Sequence, residues 1–358
     1  MSFSKYFSNN KLNITPYETA GEHLELDKFI KLNTNESPFK PSPNAIKYAA
    51  HAAENLNLYS DPDCTELIAK LAETFGVKPE NILCGNGSDE ILNFIFAAFC
   101  DDERGAAFPN ITYSFYKVLA KFYNINYVQP ELDEDFRINL DDYINNNRTS
   151  FIVNPNAPTG LFIELDEIER LLKHNLNNIV VIDEAYIDFG AESAVKLINK
   201  YENLIVVRTF SKSRSLAGGR LGFAVADSKL INDLRAVKNS LAPYNINSMT
   251  QAAAIGALED GKYFEDNIKA IIKAREFTLE SLKALNFKVL NSLGNFVFAS
   301  HERISGAKLF EELSKRKILV RHFNKPERIN NFIRVTIGKL DDMKIFVDSV
   351  KEILNADC

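Results

Sequence analysis

Three unbroken runs of mostly branched apolar residues constrain the fold more than anything else in the chain: Phe151-Ile152-Val153, Ile179-Val180-Val181-Ile182 and Leu204-Ile205-Val206-Val207. A strand that is apolar on both faces has no side to show to water, so it belongs inside a sheet covered on both sides by helices. Helix-length segments alternate with these and further strand-like runs, among them Asn81 to Cys84, Ile125 to Val128 and Leu221 to Ala226. That alternation predicts an α/β fold with a mostly parallel central sheet flanked by helices.

In an open α/β sheet ligands bind beyond the carboxyl ends of the strands, so the residues just past each apolar run matter most. The third run leads into Phe210-Ser211-Lys212-Ser213-Arg214-Ser215-Leu216-Ala217-Gly218-Gly219-Arg220, which sets an amine just past a strand end among hydroxyls and arginines. Such an amine can bond covalently to a carbonyl while Ser211 and Arg220 hold an anion. The second run ends in Asp183-Glu184-Ala185-Tyr186, a carboxylate at the same sheet edge. Upstream, Asn81 to Cys84 runs into Gly85-Asn86-Gly87-Ser88-Asp89-Glu90 and an apolar helix expected from about Ile91 to Phe99. Strand, glycine loop and helix start form an anion-binding arrangement, because free N–H groups and the helix dipole point the same way; Ser88 or Asp89 also serves as a helix cap. The first run enters a loop stiffened by two prolines, Asn154-Pro155-Asn156-Ala157-Pro158-Thr159-Gly160.

With 358 residues, 46% of them hydrophobic, the chain has enough apolar material for a large core and more than one unit. A net charge of −6 with the charges interspersed offers no basic face for nucleic acid. No apolar run reaches membrane-helix length and the amino terminus lacks a leader pattern, so a cytoplasmic protein is expected. Cys64, Cys84, Cys100 and Cys358 have neither zinc-ligand nor disulfide-framework spacing. The expected organisation is an amino-terminal arm over 1–30 packing with the small domain, a large domain over 31–275 and a small α+β domain over 276–358. One long helical region from about Asn247 to Leu285 links the last two.

Taken in order, these elements resemble the fold-type I, pyridoxal-phosphate-dependent aminotransferases, most closely the histidinol-phosphate aminotransferase group. The likeness extends from about Tyr17 to Gly338 and also takes in Asn35-Glu36-Ser37-Pro38, Tyr59 with Asp61-Pro62, and Arg334-Val335-Thr336-Ile337-Gly338. It implies pyridoxal 5'-phosphate as cofactor, with Lys212, Asp183 and Tyr186 as the catalytic residues. Lys212 forms the Schiff base with the cofactor aldehyde and shuttles the proton, which requires an amine neutral part of the time near pH 7. Partial burial and nearby positive charge favour that state, with Arg214 and Arg220 available. Asp183 pairs with the pyridine nitrogen, Tyr186 with the ring hydroxyl, and Tyr113 stacks on the ring, with Tyr116 a competitor for that place. Ser88, Asp89, Ser211 and Arg220 hold the phosphate, Gly87 and Asn156 join the cofactor set, and Tyr59 reaches the phosphate from the partner of a homodimer with a shared active site. One departure is Ala157, which stands where many relatives carry an asparagine bonded to the ring hydroxyl.

For the substrate, the resemblance implies Arg334 and Arg321 as anion-binding residues, with Tyr17 and Asn295 beside them. A guanidinium grips a carboxylate or a phosphate equally well, which suits an enzyme that takes glutamate or 2-oxoglutarate and a phosphorylated partner in turn. Histidinol phosphate and imidazole acetol phosphate are the expected pair. The same grip suits dihydroxyacetone phosphate and serinol phosphate, or a phospho-amino-acid decarboxylase. A regulatory protein without catalysis is disfavoured, because the arm is too short for a DNA-binding module.

Overall fold

A computed structural model describes residues 4–11, 14–17 and 28–356. Residues 18–27 of the expected arm, and Cys358, lie outside the described residues.

The three apolar runs become adjacent strands, Thr149–Val153, Val180–Asp183 and Leu204–Thr209, every residue of them buried. They form the middle of a seven-stranded sheet whose spatial order is Ile82–Gly85, Gly222–Ala226, Leu204–Thr209, Val180–Asp183, Thr149–Val153, Ala106–Ala107 and Tyr127–Val128. All neighbours pair in parallel except Gly222–Ala226, which runs antiparallel to the strands on both its sides. Asp183 stands opposite Val153 and Val207 at the carboxyl edge, and Lys212 comes three residues beyond Thr209.

A second, four-stranded antiparallel sheet combines Lys288–Val289, Phe296–Ser300, Arg321–His322 and Phe332–Thr336. The helical region between the sheets is two helices, Ser248–Glu259 and Gly261–Ala284, which meet at Asp260. Asp260 accepts from both the backbone and the carboxamide of Asn44. Ser42 caps the helix Pro43–Ala52, its hydroxyl accepting from the Ala45 N–H. A short strand, Ile30–Lys31, pairs in parallel with Ile318–Leu319, tying this early segment to the carboxy-terminal third of the chain.

Cys64, Cys84 and Cys100 are buried free thiols. No helix among the described residues is long and apolar enough to cross a membrane.

Candidate active site

The carboxyl edge of the large sheet and the near edge of the four-stranded sheet enclose a cavity of about 530 Å³. Of the residues singled out in the sequence, Tyr17, Ser88, Asp89, Tyr113, Asp183, Tyr186, Ser211, Lys212, Arg220, Arg321 and Arg334 line it. They arrive from both sheets and from the amino-terminal segment, so the fold brings them together although up to 317 positions separate them.

At one end, the helix Ser88–Phe99 starts three residues earlier than the apolar pattern predicted. Its cap is Gly87, with φ of 88°, so neither Ser88 nor Asp89 is used as a side-chain cap. A Cβ on Gly87 would meet Arg220 Nη2 at 2.5 Å; the glycine lets the guanidinium lie against the loop. Arg220 Nη2 donates to Asp89 Oδ2 at 3.2 Å and the Tyr113 hydroxyl donates to Asp89 Oδ1 at 2.8 Å, so the acidic residue orients both neighbours. Ser211, the first-turn N–H groups and the partly exposed Arg220 leave a positive, donor-rich recess.

Asp183 lies in the middle, 3% exposed. Its carboxylate accepts from the Tyr116 hydroxyl at 2.9 Å and the Ala185 N–H at 3.1 Å. Burial pushes its carboxyl up to about 6, although both hydrogen bonds pull down. Tyr116 is fully buried behind Asp183, while Tyr113 lines the cavity. Lys212 Nζ donates to the Thr34 carbonyl at 3.2 Å and lies 6.0 Å from the centre of the Tyr186 ring. Burial first, then the charges of Arg334 and Arg220, hold its amine down to about 8. Arg214 is not among these causes: it donates to the Ala257 carbonyl and stacks 3.7 Å from the centre of the Phe264 ring.

The far end carries Arg321 and Arg334, directly opposite each other on antiparallel strands. Neither has a carboxylate partner among the described residues, and Arg334 Nε is buried without any hydrogen bond. Like charges placed this way destabilise a sheet, and an anion held between the two guanidinium groups would offset that.

Four expected residues do not line the cavity. Asn156 is consumed by its own surroundings: it accepts from Thr112 Oγ1 and donates to the Ile111 carbonyl and Thr159 Oγ1. Asn295 is fully buried and donates to the Asn35 carbonyl. Gly87 stands behind Arg220, and Tyr59 is 85% exposed on the outer surface. Conversely, nothing in the sequence pointed to a role for Tyr116 beyond stacking or to any for Thr34, and Asn35 stood out only as part of a motif. The Tyr-x-x-Tyr spacing at 113–116 was the one local signal for Tyr116.

Residues 27–350 match the model of the aminotransferase class I and II family. The chain belongs to that family. A histidinol-phosphate aminotransferase of Brachyspira hyodysenteriae is 48% identical over 351 residues, covering 98% of this chain and 99% of the relative. One of Clostridium botulinum strain Kyoto is 44% identical over 353 residues with the same coverage. Among solved structures, the histidinol-phosphate aminotransferase of Clostridium acetobutylicum superposes with a TM-score of 0.85 at 27% identity, covering 91% of this chain and 99% of that one. The Sinorhizobium meliloti enzyme, solved with pyridoxal-5'-phosphate, gives a TM-score of 0.90 at 22% identity over 100% of both chains, a likeness of fold.

The protein is therefore a pyridoxal-phosphate-dependent aminotransferase. The cavity of this aminotransferase has groups that fit that cofactor: an anion recess at a helix start, a buried carboxylate that suits a cationic ring nitrogen, and a partly neutral amine.

Proposed function

We propose that this aminotransferase exchanges an amino group between glutamate and a phosphorylated partner, histidinol phosphate being formed from imidazole acetol phosphate, in the cytoplasm. The observation that carries this is the Arg321–Arg334 couple, which has no carboxylate partner among the described residues and reaches the cavity from the four-stranded sheet, whereas the Ser88–Arg220 recess belongs to the large sheet. Two separate anion sites suit a phosphorylated cofactor and a phosphorylated substrate present together. The full-length likeness to histidinol-phosphate aminotransferases of 44–48% identity supports the imidazole-bearing partner.

In this reading Ser88, Ser211, Arg220 and the first-turn N–H groups hold the cofactor phosphate. Asp183 faces the ring nitrogen and Tyr186 the ring hydroxyl, while Tyr113 covers a face of the ring. When bound, pyridoxal phosphate supplies an electron-accepting ring that delocalises the electron pair left at the substrate Cα. The Lys212 amine takes the Cα proton at Nζ and returns it, for which its lowered proton affinity suits it. Arg334 and Arg321 bind the carboxylate of glutamate and the phosphate of its partner in turn, and Tyr17 closes over Tyr113, their ring centres 6.0 Å apart.

The same reading makes the active unit a homodimer. Tyr59 stacks on Tyr244 at 4.7 Å between centroids, and Leu56, Leu58 and Leu241 are also more than half exposed. A monomer rarely leaves such apolar side chains wet, and this patch suits a second copy whose Tyr59 reaches across.

Half-reactions followed by cofactor absorbance test the reading. Glutamate and histidinol phosphate should each convert the bound cofactor, whereas unphosphorylated histidinol and serinol phosphate should be at least tenfold poorer. Equal rates with histidinol, or carbon dioxide release without a keto product, would sink it. Sedimentation should give a dimer, and Leu58→Asp a monomer without activity.

A further inference from the structure

Asn35 is buried, 1% exposed, and forms four hydrogen bonds that link the amino-terminal segment to both sheets. Its backbone N–H donates to Thr336 Oγ1 at 2.9 Å, and that hydroxyl donates back to Asn35 Oδ1 at 3.0 Å. Asn35 Nδ2 donates to the Tyr186 hydroxyl oxygen at 3.1 Å. The Asn35 carbonyl accepts from Asn295 Nδ2 at 3.0 Å.

The direction of each bond follows from the chemistry of the groups. With the carboxamide reversed, Thr336 would accept twice, and its own buried hydroxyl proton would have no acceptor among the described residues, so Oδ1 faces Thr336 and Nδ2 faces Tyr186. An amide nitrogen has no lone pair to accept a proton. The Tyr186 O–H therefore cannot point at Asn35 and has only the cleft to point into. Ala157, which also lines the cleft, presents only a methyl group, and the carboxamide of Asn156 is used up by Ile111, Thr112 and Thr159.

We infer that Asn35 and Thr336 are a positioning pair that aims the Tyr186 hydroxyl proton into the cleft, doing from the amino-terminal segment what no side-chain amide of the Asn154–Gly160 loop does. The pair acts through Tyr186 on the cofactor's ring oxygen and rests on the cofactor assignment, not on the substrate proposed above. Burial pushes the Tyr186 phenol up, and the charge of Arg334 and the Asn35 hydrogen bond act against it, as expected of a donor fed by a second donor.

The test is a pH titration of the visible absorbance of the holoenzyme, together with the dissociation constant of pyridoxal phosphate. Asn35 has φ of 55°, which aspartate also tolerates, so Asn35→Asp keeps the backbone while replacing the donor with an acceptor. This variant should raise the pH midpoint by about one unit and weaken cofactor binding about tenfold, because the tyrosine proton turns away from the ring. Thr336→Val frees the carboxamide to reverse and should move the midpoint the same way by less, while Thr336→Ser should match the wild type. In a Tyr186→Phe background Asn35→Asp should add little. A shift of equal size in that background would show a plain charge effect and overturn the inference, as would a Thr336→Val holoenzyme with the wild-type midpoint.

Discussion

The Tyr116 hydroxyl donates to Asp183 Oδ2 at 2.9 Å, between residues 67 positions apart. Tyr116 does not line the cavity, so its influence on the reaction runs through the carboxylate alone. Tyr116→Phe removes the strongest interaction opposing burial of that charge and should drive the Asp183 carboxyl further up. A hydrogen bond to a charged group contributes about 1.5–3 kcal/mol, so kcat should fall roughly tenfold to a hundredfold. The KM for glutamate should stay unchanged, and steady-state kinetics separate the two.

Asp183 also shapes the pH dependence of stability without cofactor. Its carboxyl is raised from the ordinary 3.8 to about 6, so the folded chain holds the proton more tightly than the unfolded chain. Stability from this group is intact below 3.8 and is lost as pH rises through about 6. Asp183→Asn abolishes that loss. The cofactor-free variant should exceed the wild type at pH 7 by about 1–3 kcal/mol, with the difference closing toward pH 4, as urea unfolding at each pH measures.

Lys212 has the opposite sign, being a base whose amine is held down to about 8. Only the neutral amine attacks a carbonyl, so the rate at which cofactor-free protein takes up pyridoxal phosphate should rise ~tenfold per pH unit up to about 8 and level off above it. Arg334→Gln removes the largest charge contribution to that shift and should move the plateau to higher pH. Stopped-flow absorbance reads both. Lys212→Ala should bind the cofactor without acquiring the wild-type absorbance.

Behind the lysine loop, Arg208 is buried between Glu184, at 3.2 Å, and Asp188, which also accepts from Ser213 Oγ at 2.5 Å. This cluster joins the segment after Asp183 to the residue next to Lys212. Asp188→Ala leaves a buried guanidinium short of a partner, a change that typically costs about 3–5 kcal/mol. Thermal unfolding should show the loss, and Asp188→Glu should recover part of it, because a carboxylate is restored next to Arg208.

At Gly87 fold and function come apart. A methyl there strains a φ of 88° and displaces the end of the Arg220 side chain, which can swing into solvent. Gly87→Ala should cost the fold only about 1–3 kcal/mol while cofactor affinity drops at least tenfold, measured by equilibrium dialysis.

Much of this molecule is local, and local features are legible. The apolar runs announced the central strands because burial on both faces leaves no polar positions. Lys212 and Asp183 could be placed at the sheet edge because Asp183 comes directly after one such run and Lys212 within five residues of another. Helix starts were less legible: Ser88–Phe99 begins at polar residues ahead of its apolar stripe. Arg214, a neighbour of Lys212 in sequence, turns toward Phe264, whereas Arg334, 122 positions away, supplies the charge.

The order of amino acids was enough for the fold class and for the residue types at the strand ends, since hydrophobic period and loop chemistry are written over a few consecutive residues. It took the folded chain to establish that Arg321 faces Arg334, that Tyr116 donates to Asp183, and that Asn35 donates to Tyr186. Strand register and hydrogen-bond direction depend on partners as far as 301 positions apart, and nothing local encodes which donor will meet which acceptor.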